Sequence, residues 1–339
     1  MKRLILVTVF YLLIHNTLQS QQLPSWSSYY EVGFIWNPAL TAKWNTMETS
    51  ITHRRDWMGF DDSPETSTIS VQLPFISATH TRSAVGAYLE QDKVGPYRKL
   101  ELAFSYAYGF SPSFLGKYDD VLSLGIKANF GQYSYDPSSL IFFDQSRLGI
   151  DLPEVAGDKS ISPNLGLGIF YNSVSDFYQY EKSHYYAGIS LNHIVPLKST
   201  ELKYQTGDFG ALGNITNKPH VSVHLGYRVI PYKFRWKRGS VFFYEPNLML
   251  IYGFSKAIHV MGNMRFESVD KYWASAGAAT SGEIYLQAGL IFDKHSFLSA
   301  LVREGALRLG VKMDYHLGNF GRYAGIGYEF YGAYVWSVE

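Results

Sequence analysis

The chain contains no cysteine. That absence removes disulfide frameworks, thiolate metal sites and cysteine nucleophiles together. Long apolar runs are missing too. The longest, Leu4 to Ile14, falls short of the roughly 20 residues a membrane-spanning helix requires. No later run of 18 apolar residues occurs and mean hydropathy is slightly negative, so a helical membrane protein is excluded. An excess of either charge is also lacking. Lys and Arg number 30 against 29 Asp and Glu, and without Lys2 and Arg3 the balance is 30 − 2 = 28 against 29. A phosphate backbone needs a surplus of cations, so nucleic acid is not an expected partner.

What is present begins with Met1, Lys2 and Arg3, then Leu4 to Ile14, then small and polar residues from Thr17 to Gln22. A positive start, a short greasy stretch and a small residue, Ser20, near a cut describe a secretory signal peptide over residues 1–20. Tyr (27), Phe (22) and Trp (7) are abundant and accompany Gly (30). Rings with an apolar body and a polar edge collect at bilayer interfaces, and glycine suits a strand that bends or faces a crowded lumen.

The strongest pattern has a period of two, the period at which strand side chains change face. Leu102, Phe104, Tyr106, Tyr108 and Phe110 alternate with Glu101, Ala103, Ser105, Ala107 and Gly109. Leu122, Leu124, Ile126, Ala128 and Phe130 alternate with Ser123, Gly125, Lys127, Asn129 and Gly131. Leu307, Leu309, Val311, Met313 and Tyr315 alternate with Arg308, Gly310, Lys312, Asp314 and His316. Segments of about 11 residues, apolar on one face and polar or tiny on the other, fit tilted transmembrane strands. Fourteen qualify, beginning near Thr46, Thr66, Ser83, Lys99, Val121, Asn164, Tyr185, His220, Val241, Ala257, Trp273, Glu283, Ala306 and Arg322. The expected architecture is an all-β, antiparallel transmembrane barrel over residues 46–339. A soluble sandwich also alternates, but its strands run only about 5 to 6 residues.

Such barrels have short periplasmic turns and longer external loops. With both termini periplasmic, the longest connections, Ser134 to Pro163 and His193 to Pro219, follow strands five and seven and point outward. Residues 21–45 show no period. They either plug the barrel or extend into the periplasm.

No catalytic constellation emerges, and no cofactor is expected. There is no Gly-x-Ser-x-Gly elbow to hold a nucleophilic serine. His220 and His224, four apart on a strand, share a face about 13 Å apart, too far to hold one metal together. Val94-Gly95-Pro96-Tyr97 and Asp61-Asp62-Ser63-Pro64 read as external turns, and Lys233, Arg235, Lys237 and Arg238 as a basic periplasmic turn. The inward set of charges comprises Glu90, Glu101, Lys127, Arg228, Glu245, Arg265, Glu283, Arg308, Lys312, Asp314 and Glu329. Both signs occur, which suits paired networks in a lumen better than an ion-selective ring.

Asn37-Pro38-Ala39-Leu40, then Arg55-Asp56-Trp57-Met58-Gly59-Phe60, then Pro64-Glu65-Thr66 and Leu73-Pro74, follow one another in an order that resembles the PorP/SprF family of Bacteroidetes outer-membrane proteins. The likeness continues through Asp92 to Tyr97, Ser105 to Tyr108, Leu122 to Gly125, Gly168 to Tyr171, Tyr186 to Ser190 and Tyr244 to Leu248. The final strand departs from the family's usual Gly-x-Glu-Ile ending, since Gly327-Tyr328-Glu329-Phe330 leads into a longer aromatic end. The resemblance implies a non-catalytic component of type IX secretion and gliding machinery. Its implied partners are secreted proteins with type IX C-terminal domains and periplasmic subunits. It marks Asn37, Pro38, Arg55, Trp57, Gly59, Phe60, Pro64 and Thr66 as structural or partner-binding residues. In a structural role, Trp57 and Phe60 would join an aromatic girdle with Arg55 snorkelling to the interface. The rival functions are a solute channel and a membrane-embedded hydrolase.

Overall fold

A computed structural model describes residues 29–43, 46–76, 82–112, 120–135, 159–174, 180–195, 219–231, 242–253, 258–269, 271–294, 302 and 304–337. The expected signal peptide, residues 21–28 and the basic group Lys233 to Arg238 lie outside the described residues.

Strict alternation over long segments builds fourteen strands: β1 (Thr46–Arg55), β2 (Glu65–Ile76), β3 (Arg82–Val94), β4 (Tyr97–Phe110), β5 (Val121–Tyr135), β6 (Lys159–Asn172), β7 (His184–Asn192), β8 (His220–Arg228), β9 (Phe242–Gly253), β10 (Ile258–Ser268), β11 (Tyr272–Ala279), β12 (Glu283–Asp293), β13 (Ala306–His316) and β14 (Ile326–Ser337). Each pairs antiparallel with its sequence neighbours, and β1 pairs with β14 from Thr46↔Ser337 to Arg55↔Tyr328, closing the ring. Closure gives every strand a ladder on both sides, the condition for placing a sheet in hydrocarbon. Among the described residues no helix is long and apolar enough to cross a membrane.

The two faces divide as the alternation predicts. On β4, Leu102, Phe104, Tyr106 and Tyr108 stand 39–52% exposed on the outside, while Glu101, Ala103, Ser105 and Ala107 are buried inside. A soluble core would invert this exposure, and an apolar exterior is a surface for lipid.

Five strands begin at the expected residues and most others within one. Two boundaries need correction. β6 starts at Lys159, not near Asn164, because Pro163 does not end it. Residues 159–165 of β6 pair with β5, whereas its ladder to β7 begins at Gly166↔Asn192. A proline on that unshared stretch removes no second ladder bond. β14 starts at Ile326, not near Arg322, because Asn319–Ala324 forms a short helix bounded by Gly318 (φ 90°) and Gly325 (φ 72°).

Of the two placements open to the N-terminal segment, residues 29–43 take the lumen. A one-turn helix, Gly33–Trp36, leads through Asn37 into a 3-10 turn, Pro38–Leu40. Tyr29, Val32, Phe34, Ile35, Trp36, Ala39 and Leu40 form a buried cluster with wall residues Tyr88, Ala103, Phe170, Tyr186, Met249, Ile251 and Met261. At about 1.5–3 kcal/mol per large apolar side chain, this burial is what seats the plug.

Candidate functional site

The site is the lumen, and its centre is the Asn37-Pro38-Ala39 turn. Asn37 Oδ1 accepts from the Ala39 backbone N–H at 3.0 Å, and its Nδ2 donates to the Ile169 carbonyl at 3.2 Å. One side chain therefore caps the turn and ties it to β6. The wall makes room by omitting side chains. Gly125 and Gly168 face each other across the β5–β6 ladder, and a Cβ on either would overlap the Pro38–Ala39 backbone or the Asn37 carboxamide. Around this seat, Ser190 Oγ and Asn192 Nδ2 each donate to the Trp36 carbonyl at 2.8 Å, and Lys127 Nζ donates to the Ile35 carbonyl at 2.6 Å.

On the side of the plug nearer Thr46 and Ser337, the charges form one network. Arg228 Nε donates to Glu245 at 2.6 Å, and the Arg228 guanidinium also reaches the Tyr30 hydroxyl at 2.6 Å. Arg265 pairs with Glu31 of the plug and with Glu267 at 2.8 Å, and Arg308 reaches Glu267 at 3.1 Å. The guanidinium of Arg265 lies between the Tyr30 ring at 4.6 Å and the Trp273 ring at 4.4 Å, a geometry in which cation–π attraction replaces lost water.

Two further networks lie toward the opposite end. Lys99 bridges Glu90 at 3.3 Å and Glu101 at 2.7 Å, and Tyr88 donates to Glu101 at 2.7 Å. Lys312 gathers Glu283 at 3.1 Å, Asp314 at 3.1 Å and Glu329 at 3.8 Å, and Arg54 adds contacts to Asp56 at 2.6 Å and Glu283 at 3.6 Å. The structure thus places Glu90, Glu101, Arg228, Glu245, Arg265, Glu283, Arg308, Lys312, Asp314 and Glu329 on the lumen side in three groups and not one, with Lys127 apart from them on the Ile35 carbonyl.

The remaining family-motif residues lie at the rim, where the 56–64 connection meets the helix Asn319–Ala324. Arg55 does not snorkel freely, since its Nε donates to Ser63 Oγ at 2.8 Å. Trp57 packs edge-on against Phe320 at 5.2 Å and His316 at 6.2 Å, and Phe60 lies 6.3 Å from Phe320. Gly59 donates from its N–H to the Ala324 carbonyl at 2.8 Å, an approach a Cβ would block. The Pro64 carbonyl accepts from the Asp56 N–H at 2.9 Å, and Thr66 donates to Asp92 at 2.7 Å. These contacts brace the two connections that flank the β1–β14 seam. Burial pushes the Asp56 carboxyl up from its ordinary pKa, against the pull of Arg54. At the end of β7, burial holds the His193 imidazole down at about 4, against Glu101.

Sequence reasoning missed several members of these networks. Glu267 stands two residues from Arg265, and Lys99 two from Glu101, so the same alternation would have turned both inward. Glu31 and Tyr30 carry no such signal, because the plug has no period. Among the described residues no three His, Asp or Glu side chains gather to hold a metal. Between the plug and the wall a cavity of about 160 Å³ remains, lined by Lys43, Glu48, Gln72, Arg308 and Tyr331 among others.

Among solved structures, the chain is similar to the CymD monoaromatic hydrocarbon channel (10% identity, TM-score 0.48, covering 91% of this chain and 92% of that one). It is also similar to the translocator domain of the autotransporter NalP from Neisseria meningitidis (8%, 0.48, 92% and 97%) and to the Pseudomonas putida toluene transporter TodX (8%, 0.48, 93% and 94%). At such identities and scores nothing about function follows from them. No curated protein matches the chain. Residues 18–334 match the model for the type IX secretion system membrane protein PorP/SprF, and the chain belongs to that family.

Proposed function

We propose that this barrel is a non-catalytic component of type IX secretion and gliding machinery that binds secreted proteins and helps deliver or anchor them at the cell surface. It sits in the outer membrane of a Gram-negative bacterium with both barrel termini in the periplasm. Its partners are outer-membrane lipid, a secreted protein carrying a type IX C-terminal domain, and periplasmic subunits of the machinery.

The observation that supports this reading beside family membership is the plugged lumen. Residues 29–43 cross its middle, and its charges sit in clusters of mixed sign rather than in a ring of one sign. An arrangement of that kind serves binding better than steady conduction. β5 and β7 end at Tyr135 and Asn192, at the end of the barrel away from Thr46 and Ser337. In the proposed orientation that end is extracellular.

The test is purification of the tagged protein from outer membranes of its native host, with mass spectrometry of what stays bound. A large secreted protein with a type IX C-terminal domain, or periplasmic subunits of that machinery, is the expected catch. Lipid and lipopolysaccharide alone, with steady conductance of the wild-type protein in planar bilayers, would replace this reading with a solute channel.

A further inference from the structure

We infer that residues 29–43 are a removable stopper, and that the wall around them is a latent passage for water and small polar solutes with little preference for either ion sign. The barrel does not depend on the plug for its integrity. All fourteen strands pair with one another around the closed ring, and no residue of 29–43 belongs to a ladder. What fastens the plug is apolar packing plus single polar contacts. Thr41 Oγ1 lies 2.9 Å from Ser105 Oγ, the Ala42 N–H donates to Gln72 at 2.8 Å, and Glu31 pairs with Arg265. Each can be exchanged for water without breaking a strand.

The wall suits water. Thr52, Thr68, Asn129 and Asn164 face inward and carry buried polar atoms that no hydrogen-bonding group among the described residues meets. A packed protein interior rarely leaves such atoms unmatched, whereas the lumen of an outer-membrane barrel is ordinarily polar. The cavity of about 160 Å³ beside Glu48, Gln72 and Arg308 shows that the plug does not fill the lumen on its terminal side. With the plug gone, Arg265 keeps Glu267, Arg228 keeps Glu245 and Lys312 keeps Glu283, so no bare ring of one charge appears. Weak ion selectivity follows.

The buried aromatic cluster keeps the stopper seated at rest, so opening requires that the seated state be made worse. This inference stands apart from partner binding, because a barrel with an immovable plug could hold a protein equally well.

The experiment is planar-bilayer conductance of the full chain. The wild type is expected to be closed. Gly168→Leu, which drives a side chain into the Asn37 carboxamide, should raise steady conductance by up to about a hundredfold if it moves the population from almost all seated to almost all released. Introducing T41C and S105C into the Gly168→Leu chain supplies a lock. The two hydroxyl oxygens are 2.9 Å apart, so thiols in their place would meet, and the chain has no other cysteine to compete. Conductance should vanish under oxidation and return with reductant. Glu31→Arg, which sets like charge against Arg265 without touching the wall, provides a second route should Gly168→Leu not fold. Folded variants that both stay closed would overturn the inference. So would a conductance indifferent to the cross-link, or a wild type as conductive as the variants.

Discussion

The carboxamide of Asn37 occupies the space that a Cβ on Gly168 would need. The two residues are halves of one joint, a polar hook from the plug and an omission in the wall. Asn37→Ala removes the cap on Ala39 and the bond to Ile169 together, and should cost about 1–3 kcal/mol, read as a lower urea midpoint in detergent. Asn37→Asp keeps the cap but loses the donor, so it should fall between the wild type and Asn37→Ala.

Arg265 is fully buried against two carboxylates from different parts of the chain, Glu31 and Glu267. Arg265→Met takes the cation from Glu31 and leaves Glu267 with Arg308 alone, and should destabilise by about 3–5 kcal/mol. A double-mutant cycle with Glu31→Gln would isolate the link between plug and wall. Additivity of the two single changes would show that the pair contributes nothing.

Gly59→Val should prise the 56–64 connection from the Ala324 carbonyl, because any Cβ there meets backbone of residues 323 and 324. The expected readout is faster proteolysis at this rim and loss of the compact form on cold gel electrophoresis. Arg322→Ala on the exposed face of the same helix should stay within about 0.5 kcal/mol of the wild type.

His193 has a depressed pKa, so the unfolded chain takes up a proton before the folded one does. Its stabilising contribution is present above the unfolded value of about 6.5 and is lost as pH falls through the folded value of about 4. The charged groups acting on it are Glu101, which favours the proton, and Lys127 and Lys99, which oppose it, beside the ring of His220 at 5.2 Å. The unfolding midpoint should therefore drop between pH 6.5 and 4, and His193→Asn should flatten part of that slope. An unchanged slope would assign the effect elsewhere.

The barrel was legible because lipid outside and polar groups inside impose one rule on every strand. Val121, His220, Glu283 and Ala306 could be named as strand starts from that rule alone. It failed where local chemistry overrode the period. Pro163 looked like a boundary but sits where only one neighbour needs its backbone, and Arg322 continued an alternation that Gly318 and Gly325 bend into a helix. Within the site, parity found Arg265 and Lys312. It could not find Glu31, Tyr30 or the role of Asn37, because the plug is shaped by its socket, and that socket is assembled from glycines dispersed over β5 and β6.

The ion pairs that line the lumen also act as a check on how the sheet is assembled. Because faces alternate at every residue, sliding β13 by one position against its neighbours would turn Arg308, Lys312 and Asp314 outward into lipid and take the Lys312 contact from Glu283 and Glu329 and the Arg308 contact from Glu267. A cation at the bilayer midplane costs about 2–4 kcal/mol and less toward the interfaces, so a single slip would add the cost of two outward cations to that of the lost ion pairs. The buried charges thereby make a misthreaded seam detectable as an energy, and the correctly registered strand order is the arrangement in which that error signal is absent.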